Sequence, residues 1–182
     1  MGRLKAAIAG IAIAIIGLAV VIFLTKDNIP QDTDGMAVHG DAVEVVKPLE
    51  KNQQEEILHL IQDYYTKFTS NDVDGYQNID VYIKDGAKSN EHIVFSYYEM
   101  KIKNTNTPIP GIGTHYIMQN PDGIWQIIDE YQNCEIQEAI VAEVSDEDIQ
   151  QLLKEVQQKY TKAIESDVIL KKTIEELQSD RL

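Results

Sequence analysis

The side chains best suited to acid–base chemistry in this sequence are two histidines, a tyrosine and two carboxylates: His92, Tyr98, Glu99, His115 and Asp129. Acid–base catalysis needs a proton donor and a proton acceptor within hydrogen-bond distance of one substrate. His92 and Tyr98 share one face of a predicted strand but lie about 20 Å apart, and Glu99 lies on the opposite face. Only His115 and Tyr98 could meet, across the sheet, and that pair lacks a carboxylate. We therefore predict no catalytic residues and no enzyme.

The spacing of the histidines and aspartates argues against a metal site. His39 and His59 show no metal-ligand spacing with each other or with the other two histidines. Asp72 and Asp74 precede a glycine, as in a calcium loop, but the twelfth position of such a loop falls on Val81 rather than on a glutamate. The sequence also lacks a glycine loop that would bind phosphate. We expect neither a metal nor another cofactor.

Aromatic side chains in the predicted strands have two interpretations. Tyr97, Tyr98, Tyr116 and Trp125 could line a ligand cleft. In that case we expect Tyr98, His115 and Trp125 to bind the ligand. Aromatic residues are also common in the packed interior of sheets, which makes these same side chains core candidates.

Hydrophobic periodicity predicts the elements that would position these residues. A helix is expected over about 53–69, with Asn52 and Glu55 as a capping box, and strands over 79–84, 91–103, 113–119 and 124–129. Short turns join the strands, apart from a loop over 104–111 whose two prolines disfavour ladder pairing. We therefore predict an antiparallel meander. The even positions of EHIVFSYYEMKIK should be covered throughout, and the odd positions only near the start of the strand.

The sequence predicts that the end of the chain is helical. Residues 129–148 form an acidic connection with a short strand over 136–141, and Ser145, with Asp148 three residues on, caps the next helix. The apolar positions of that helix form a broad stripe, typical of a helix packed on a sheet: Ile149, Leu152, Leu153, Val156, Tyr160, Ala163 and Ile164. Ser166-Asp167 could cap a further helix, although a single helix of about 35 residues also fits; we favour two. A coiled coil would need apolar residues along a heptad seam of this helix, but that seam has polar residues at Lys159 and Ser166. We therefore expect a monomeric soluble domain.

Residues 6–24 form an uninterrupted apolar stretch, AAIAGIAIAIIGLAVVIFL. As a helix it would measure about 28 Å, close to the thickness of the hydrocarbon core of a bilayer. It is longer than the apolar region of a cleaved signal peptide and lacks a nearby cleavage site, so we favour an uncleaved signal anchor. Arg3 and Lys5 precede it, which predicts a cytoplasmic N-terminus over 1–5 and a C-terminal domain outside the cell membrane.

The remainder divides into a tether over 25–50 and one domain over 51–182. Two of the 16 basic residues precede the apolar stretch, so 14 basic and 30 acidic residues follow it, a net charge of −16. This charge argues against nucleic acid as a partner. The single cysteine, Cys134, excludes a disulfide within the chain.

Three segments carry a resemblance to a known superfamily: DYYTKFTSNDVDGYQNIDVYIKDG, VFSYYEMKIKNTNTPIPGIGTHYIMQNPDGIWQI and KYTKAIESDVILKKTIEEL. The chain resembles the NTF2-like (cystatin-like) superfamily, and within it single-pass, outward-facing proteins of Gram-positive bacteria. The resemblance implies an α+β domain in which a curved antiparallel sheet of about four strands packs with one preceding and two C-terminal helices.

The anchor, the tether, the small domain and the lack of convergent reactive groups predict a non-catalytic binding or assembly module, with the bilayer, through 6–24, and an envelope protein as partners. The resemblance adds that NTF2-like domains behind one membrane helix act as scaffold subunits in conjugation and secretion channels. The alternative is a small-ligand or enzymatic domain, since the superfamily includes ketosteroid isomerases, with a pocket near Tyr98 and His115.

Overall fold

The computed structural model of the protein describes residues 49–69, 73–128 and 133–179. These residues form an α+β domain with four strands and four helices: α1 Lys51–Thr66, β1 Val73–Asp85, β2 Glu91–Ile102, β3 Ile109–Gln119, β4 Trp125–Ile128, α2 Cys134–Val144, α3 Glu147–Ser166 and α4 Val168–Ser179. The predicted N-terminus 1–5, the anchor 6–24 and nearly all of the tether 25–50 lie outside the described residues. Within the described ranges, each helix is too short or too polar to cross a membrane.

The sheet is the predicted antiparallel meander, with strand order β1-β2-β3-β4. β1 begins six residues earlier than predicted, because two register shifts let its first half pair with β2. The second shift contains Asn78, whose φ of 51° is the left-handed conformation that asparagine tolerates better than most residues.

β3 begins at Ile109, so the prediction of a loop over 104–111 was wrong at its end. Pro110 lies opposite Glu99 of β2. β4 pairs with β3 only over 116–119, so among the described strands the other edge of β3 is unpaired at Pro110. A proline is tolerated there because a ladder hydrogen bond is not required on that side.

Two apolar cores lie on opposite faces of the sheet, divided by the alternation of β2. Even positions such as Val94 and Tyr98 pack under α1 against Ile57 and Ile61. Odd positions such as Phe95 pack under α2 and α3. The predicted coverage is confirmed: the even face is buried to the end of β2, whereas the odd face opens after Tyr97.

The helix that covers part of the odd face, α2, was not predicted. A short strand was expected over 136–141, but Ile136, Ala139 and Ile140 pack on the odd-face core at helical spacing. Asn133 caps the helix by accepting a hydrogen bond from the backbone N–H of Glu135, 2.9 Å away. Among the described residues, three helices therefore follow the sheet rather than two.

The remaining helices agree with prediction more closely. α1 covers 51–66, and its box is formed by Glu50 and Gln53, through a 3.1 Å bond, rather than by Asn52 and Glu55. The apolar stripe of α3 is core, with Ile149 and Val156 buried.

The choice of two terminal helices over one is confirmed by the break at Asp167. Its Oδ1 accepts hydrogen bonds from the N–H groups of Ile169 and Leu170, which begins α4. Its Oδ2 accepts two more, from Asn106 and Thr107 of the loop between β2 and β3. One carboxylate thus satisfies backbone donors at a helix start and in a distant loop.

Candidate functional site

The three predicted ligand-binding residues all lie in the even-face core. Tyr98, His115 and Trp125 are 2%, 4% and 6% exposed. The ring of Tyr98 lies so close to Gly111 that a Cβ there would be 2.5 Å from the phenol oxygen. α1 covers this face, and none of the three side chains lines either of the surface clefts described below.

His115 belongs to a buried polar cluster that also contains Tyr65 of α1 and Ser96 of β2. Ser96 Oγ lies 3.0 Å from His115 Nε2 and 2.8 Å from the Tyr65 hydroxyl. The three groups crowd over Gly113, where a Cβ would be 2.4 Å from the Tyr65 oxygen. Burial lowers the pKa of His115 to about 4, so its ring is neutral at physiological pH.

A serine 3.0 Å from a histidine is the spacing of a nucleophile and its base, but this cluster is closed to substrate. Ser96 is fully buried on an inner strand. His115 Nδ1 is also buried and has no hydrogen-bond partner among the described residues, so no carboxylate orients the ring as in a triad. The arrangement joins α1 to the sheet and pairs the Tyr65 and Ser96 hydroxyls and His115 Nε2 inside the core.

The other acid–base candidates are separated from this cluster. His92 packs against Trp125 with ring centroids 5.0 Å apart and ring planes tilted by 44°, and its Nδ1 lies 3.7 Å from Asp85. Glu99 accepts hydrogen bonds from Gln77, Asn78 and Tyr97 beside the bulge of β1. Asp129 lies outside the described residues.

A second polar cluster lies on the odd face and opens into a cleft of about 300 Å³. The Tyr116 hydroxyl donates a 2.6 Å hydrogen bond to Glu91 Oε2, and Lys88 Nζ lies 3.0 Å from Glu91 Oε1. The backbone N–H of Ala87 donates to the Tyr116 oxygen at 3.3 Å. Apolar side chains of β3, β4 and α2 complete the cleft: Met118, Ile128 and Ile136.

Glu91 is the buried charged residue of this cleft. It is 6% exposed, an unusual position for a carboxylate. Burial acts to raise the pKa of its carboxyl, but the hydrogen bonds from Tyr116 and Lys88 outweigh burial, and the pKa lies below its ordinary value. The carboxylate is therefore ionised at neutral pH.

Sequence reasoning missed both clusters. Tyr65 and Ser96 have no catalytic spacing in the sequence, although Ser96 stands among apolar residues on the even face of β2. Glu91 begins β2 and Lys88 precedes it by three residues, a spacing that is also common in solvated turns. Only the pairing of Glu91 with Met118 brings Tyr116 within reach of the carboxylate.

Another cleft, of about 380 Å³, lies between the end of α1 and the bulged half of β1. Tyr65 and Tyr76 line it, with ring centroids 5.0 Å apart. Gln77 and Asn78 also border it, but their side-chain amides donate to Glu99. None of the described residues that line this cleft is charged.

The described residues contain no group of three His, Cys, Asp or Glu side chains that could hold a metal ion. Comparisons of the chain with known protein families, with curated proteins and with solved structures find no match.

Proposed function

We propose that the protein is a membrane-anchored, extracytoplasmic binding or assembly module that does not catalyse a reaction. One observation carries the non-catalytic part. The only serine–histidine pair with the spacing of a nucleophile and base among the described residues has its hydroxyl fully buried. Of the charged residues that line the cleft on the odd face, Lys88 and Glu91 are paired with each other. Such a site is suited to recognition rather than to turnover.

The location rests on the sequence. The apolar stretch 6–24 would anchor the protein, and the basic residues before it would keep the N-terminus in the cytoplasm. An NTF2-like identity for the domain agrees with the α+β class and the four-stranded meander. An envelope protein would then be the partner of the domain.

Topology is tested with protease added to intact, wall-stripped cells. We expect removal of the acidic domain with the anchor left in the membrane. Protection of the domain would contradict the orientation. Release of the domain without protease would indicate cleavage of the anchor.

The assembly role is tested by crosslinking the full chain in its own membrane at native abundance. We expect a discrete crosslinked species that contains a second envelope protein. A chain that remains uncrosslinked and monomeric would contradict the proposal.

A small-ligand or enzymatic site near Tyr98 and His115 is the second candidate. The observation in its favour is His115 itself, whose Nε2 lies 3.0 Å from Ser96 and whose buried Nδ1 has no partner among the described residues. An acyl-transfer site would react covalently with a fluorophosphonate probe, and Ser96→Ala would abolish that labelling. Absence of labelling in the wild-type protein would exclude this chemistry.

A further inference from the structure

We propose that the cleft formed by Lys88, Glu91, Tyr116 and Met118 binds a small organic amine, whose ammonium group takes the place of the Lys88 ammonium on Glu91. This inference deepens the proposed binding role by naming a ligand class. It depends only on the cleft, not on the anchor.

The carboxylate of Glu91 has a fixed position in the fold. Glu91 is held at the start of β2, and the hydroxyl of Tyr116 binds one of its oxygens at 2.6 Å. Both residues are more than nine-tenths buried. A buried, ionised carboxylate needs a cationic or hydrogen-bonding partner, because leaving it unpaired is costly. Tyr116 supplies one such bond, and the second oxygen requires another donor.

Lys88 is a partner of Glu91 that a ligand can displace. Its ammonium lies 3.0 Å from Glu91 Oε1, but its side chain is 72% exposed, whereas that of Glu91 is 7% exposed. An exposed lysine gains little from such a pair, since water solvates its charge almost as well. A ligand ammonium could therefore exchange with it at small cost, and Lys88 would move into solvent.

The cleft would also recognise an apolar part of the ligand. Met118, Ile128 and Ile136 provide apolar surface beside the carboxylate. A ligand with an ammonium group and a compact apolar body would bind Glu91 and bury that apolar surface at the same time. Lys88 binds Glu91 without burying that surface. The volume of about 300 Å³ suits a molecule of that size.

Charge selects against the opposite class of ligand. Glu135 also lines the cleft, and the chain after residue 24 carries a net charge of −16. An anionic ligand would meet this field, whereas a cation would be attracted by it. A metal ion is a poor alternative, because the described residues provide no group of three suitable ligands here.

The test uses the full chain in lipid nanodiscs with methyl-labelled methionine. Benzylamine is the probe, and benzyl alcohol is its uncharged match. The methyl signal of Met118 reports on the cleft, and that of Met100, buried under the other face, is the internal control. We expect benzylamine to shift the Met118 signal in a saturable manner, while benzyl alcohol binds more weakly and Met100 does not move. Equal shifts with the two probes, or none, would overturn the proposal.

Two variants assign the ammonium position. Glu91→Gln should weaken benzylamine binding more than about tenfold, since a hydrogen bond to a charged group is lost. Lys88→Gln removes the competing ammonium and should tighten binding about threefold. Lys171→Gln, which removes an exposed lysine on α4, is the control for net charge and should leave the affinity unchanged.

Lys88→Gln is decisive because it changes an exposed side chain and the variant should fold. Unchanged or weaker binding in that variant would overturn the displacement of Lys88, whatever the stability of Glu91→Gln. These results are independent of crosslinking in the membrane, so failure of the amine site and failure of the assembly role can be told apart.

Discussion

The two polar clusters of the domain use similar groups on opposite faces of the same two strands. Ser96 and His115 lie under α1 beside Tyr65 of that helix, and this cluster carries no net charge at neutral pH. Glu91 and Tyr116 lie beside a cleft with an ionised carboxylate. In each cluster a tyrosine hydroxyl satisfies a buried polar atom. The neutral cluster can be enclosed because it carries no charge and Ser96 joins the Tyr65 hydroxyl to His115 Nε2. The charged cluster stays near water because its second partner is a solvent-exposed lysine.

The largest expected difference between the clusters follows from truncating the apolar side chains that cover them. Ile61→Ala removes a fully buried side chain of α1 and should cost about 2–5 kcal/mol of the free energy of unfolding. Met118→Ala, at the partly exposed cleft, should cost less than half of that. Urea unfolding of the fragment 51–182 measures both. Equal losses would mean that the cleft side is packed as tightly as the interior.

Acid should act on the two clusters in different pH ranges. Burial lowers the pKa of His115 from 6.5 to about 4, so folding favours its neutral form. The stability it contributes is complete above the unfolded pKa and is lost as the pH falls from about 6.5 to about 4, by at most about 3 kcal/mol. Burial also lowers the pKa of His92, which adds a loss of the same sign.

Glu91 should lose its contribution only at lower pH, because its carboxyl pKa lies below the ordinary value of 4.5. Unfolding free energies measured from pH 7 to pH 3 should show the two phases. His115→Gln should flatten the upper phase, and the double change of His92 and His115 should flatten it further. An unaltered slope in these variants would show that the histidines are not protected by burial.

A methyl group at Gly113 should disturb the neutral cluster alone. Its Cβ would be 2.4 Å from the Tyr65 oxygen, so Gly113→Ala should cost about 1–3 kcal/mol. In the Tyr65→Phe background the clash with that oxygen is absent, and the added cost should be smaller. A double-mutant cycle measures this coupling. Strict additivity would mean that the crowding seen over Gly113 is relieved elsewhere.

The smallest effect is expected at Lys88. The Lys88 side chain is 72% exposed, and Lys88→Gln keeps an N–H donor that can serve Glu91, so the substitution should change the free energy of unfolding by less than about 1 kcal/mol. Thermal unfolding beside the Lys171→Gln control measures it. A loss above about 2 kcal/mol would show that Lys88 is an integral part of the fold rather than an exchangeable partner.

The meander was predictable because side chains of alternate residues in its strands lie on opposite faces of the sheet and because the turns between the strands are short. The two faces of β2 follow directly from the sequence EHIVFSYYEMKIK. α2 was missed because its apolar residues lie close together, where a short strand and a helix give similar patterns. Pro110 was assigned to a loop because the sequence does not show which edge of β3 would lack a partner.

The residues of a functional site are brought together by the register of strand pairing, whereas helices and strands follow more directly from local sequence patterns. The sequence singled out His115 but not Ser96 or Tyr65, which reach it from another strand and from a helix. It named His92 rather than its neighbour Glu91, since the position of Tyr116 relative to the carboxylate follows from the pairing of β2 with β3. Tests of the neutral and charged clusters therefore examine features that only tertiary structure creates.

Asp167 ties α4 to a distant loop, and this has a consequence for local opening of the domain. The amides of Asn106, Thr107, Ile169 and Leu170 all donate to its one carboxylate. Release of that carboxylate exposes all four amides at once, so their hydrogen–deuterium exchange should follow a single opening event, although more than 60 residues separate the loop from the helix. The start of α4 and the loop between β2 and β3 would then form one cooperative unit, separate in the sequence but joined in its fluctuations.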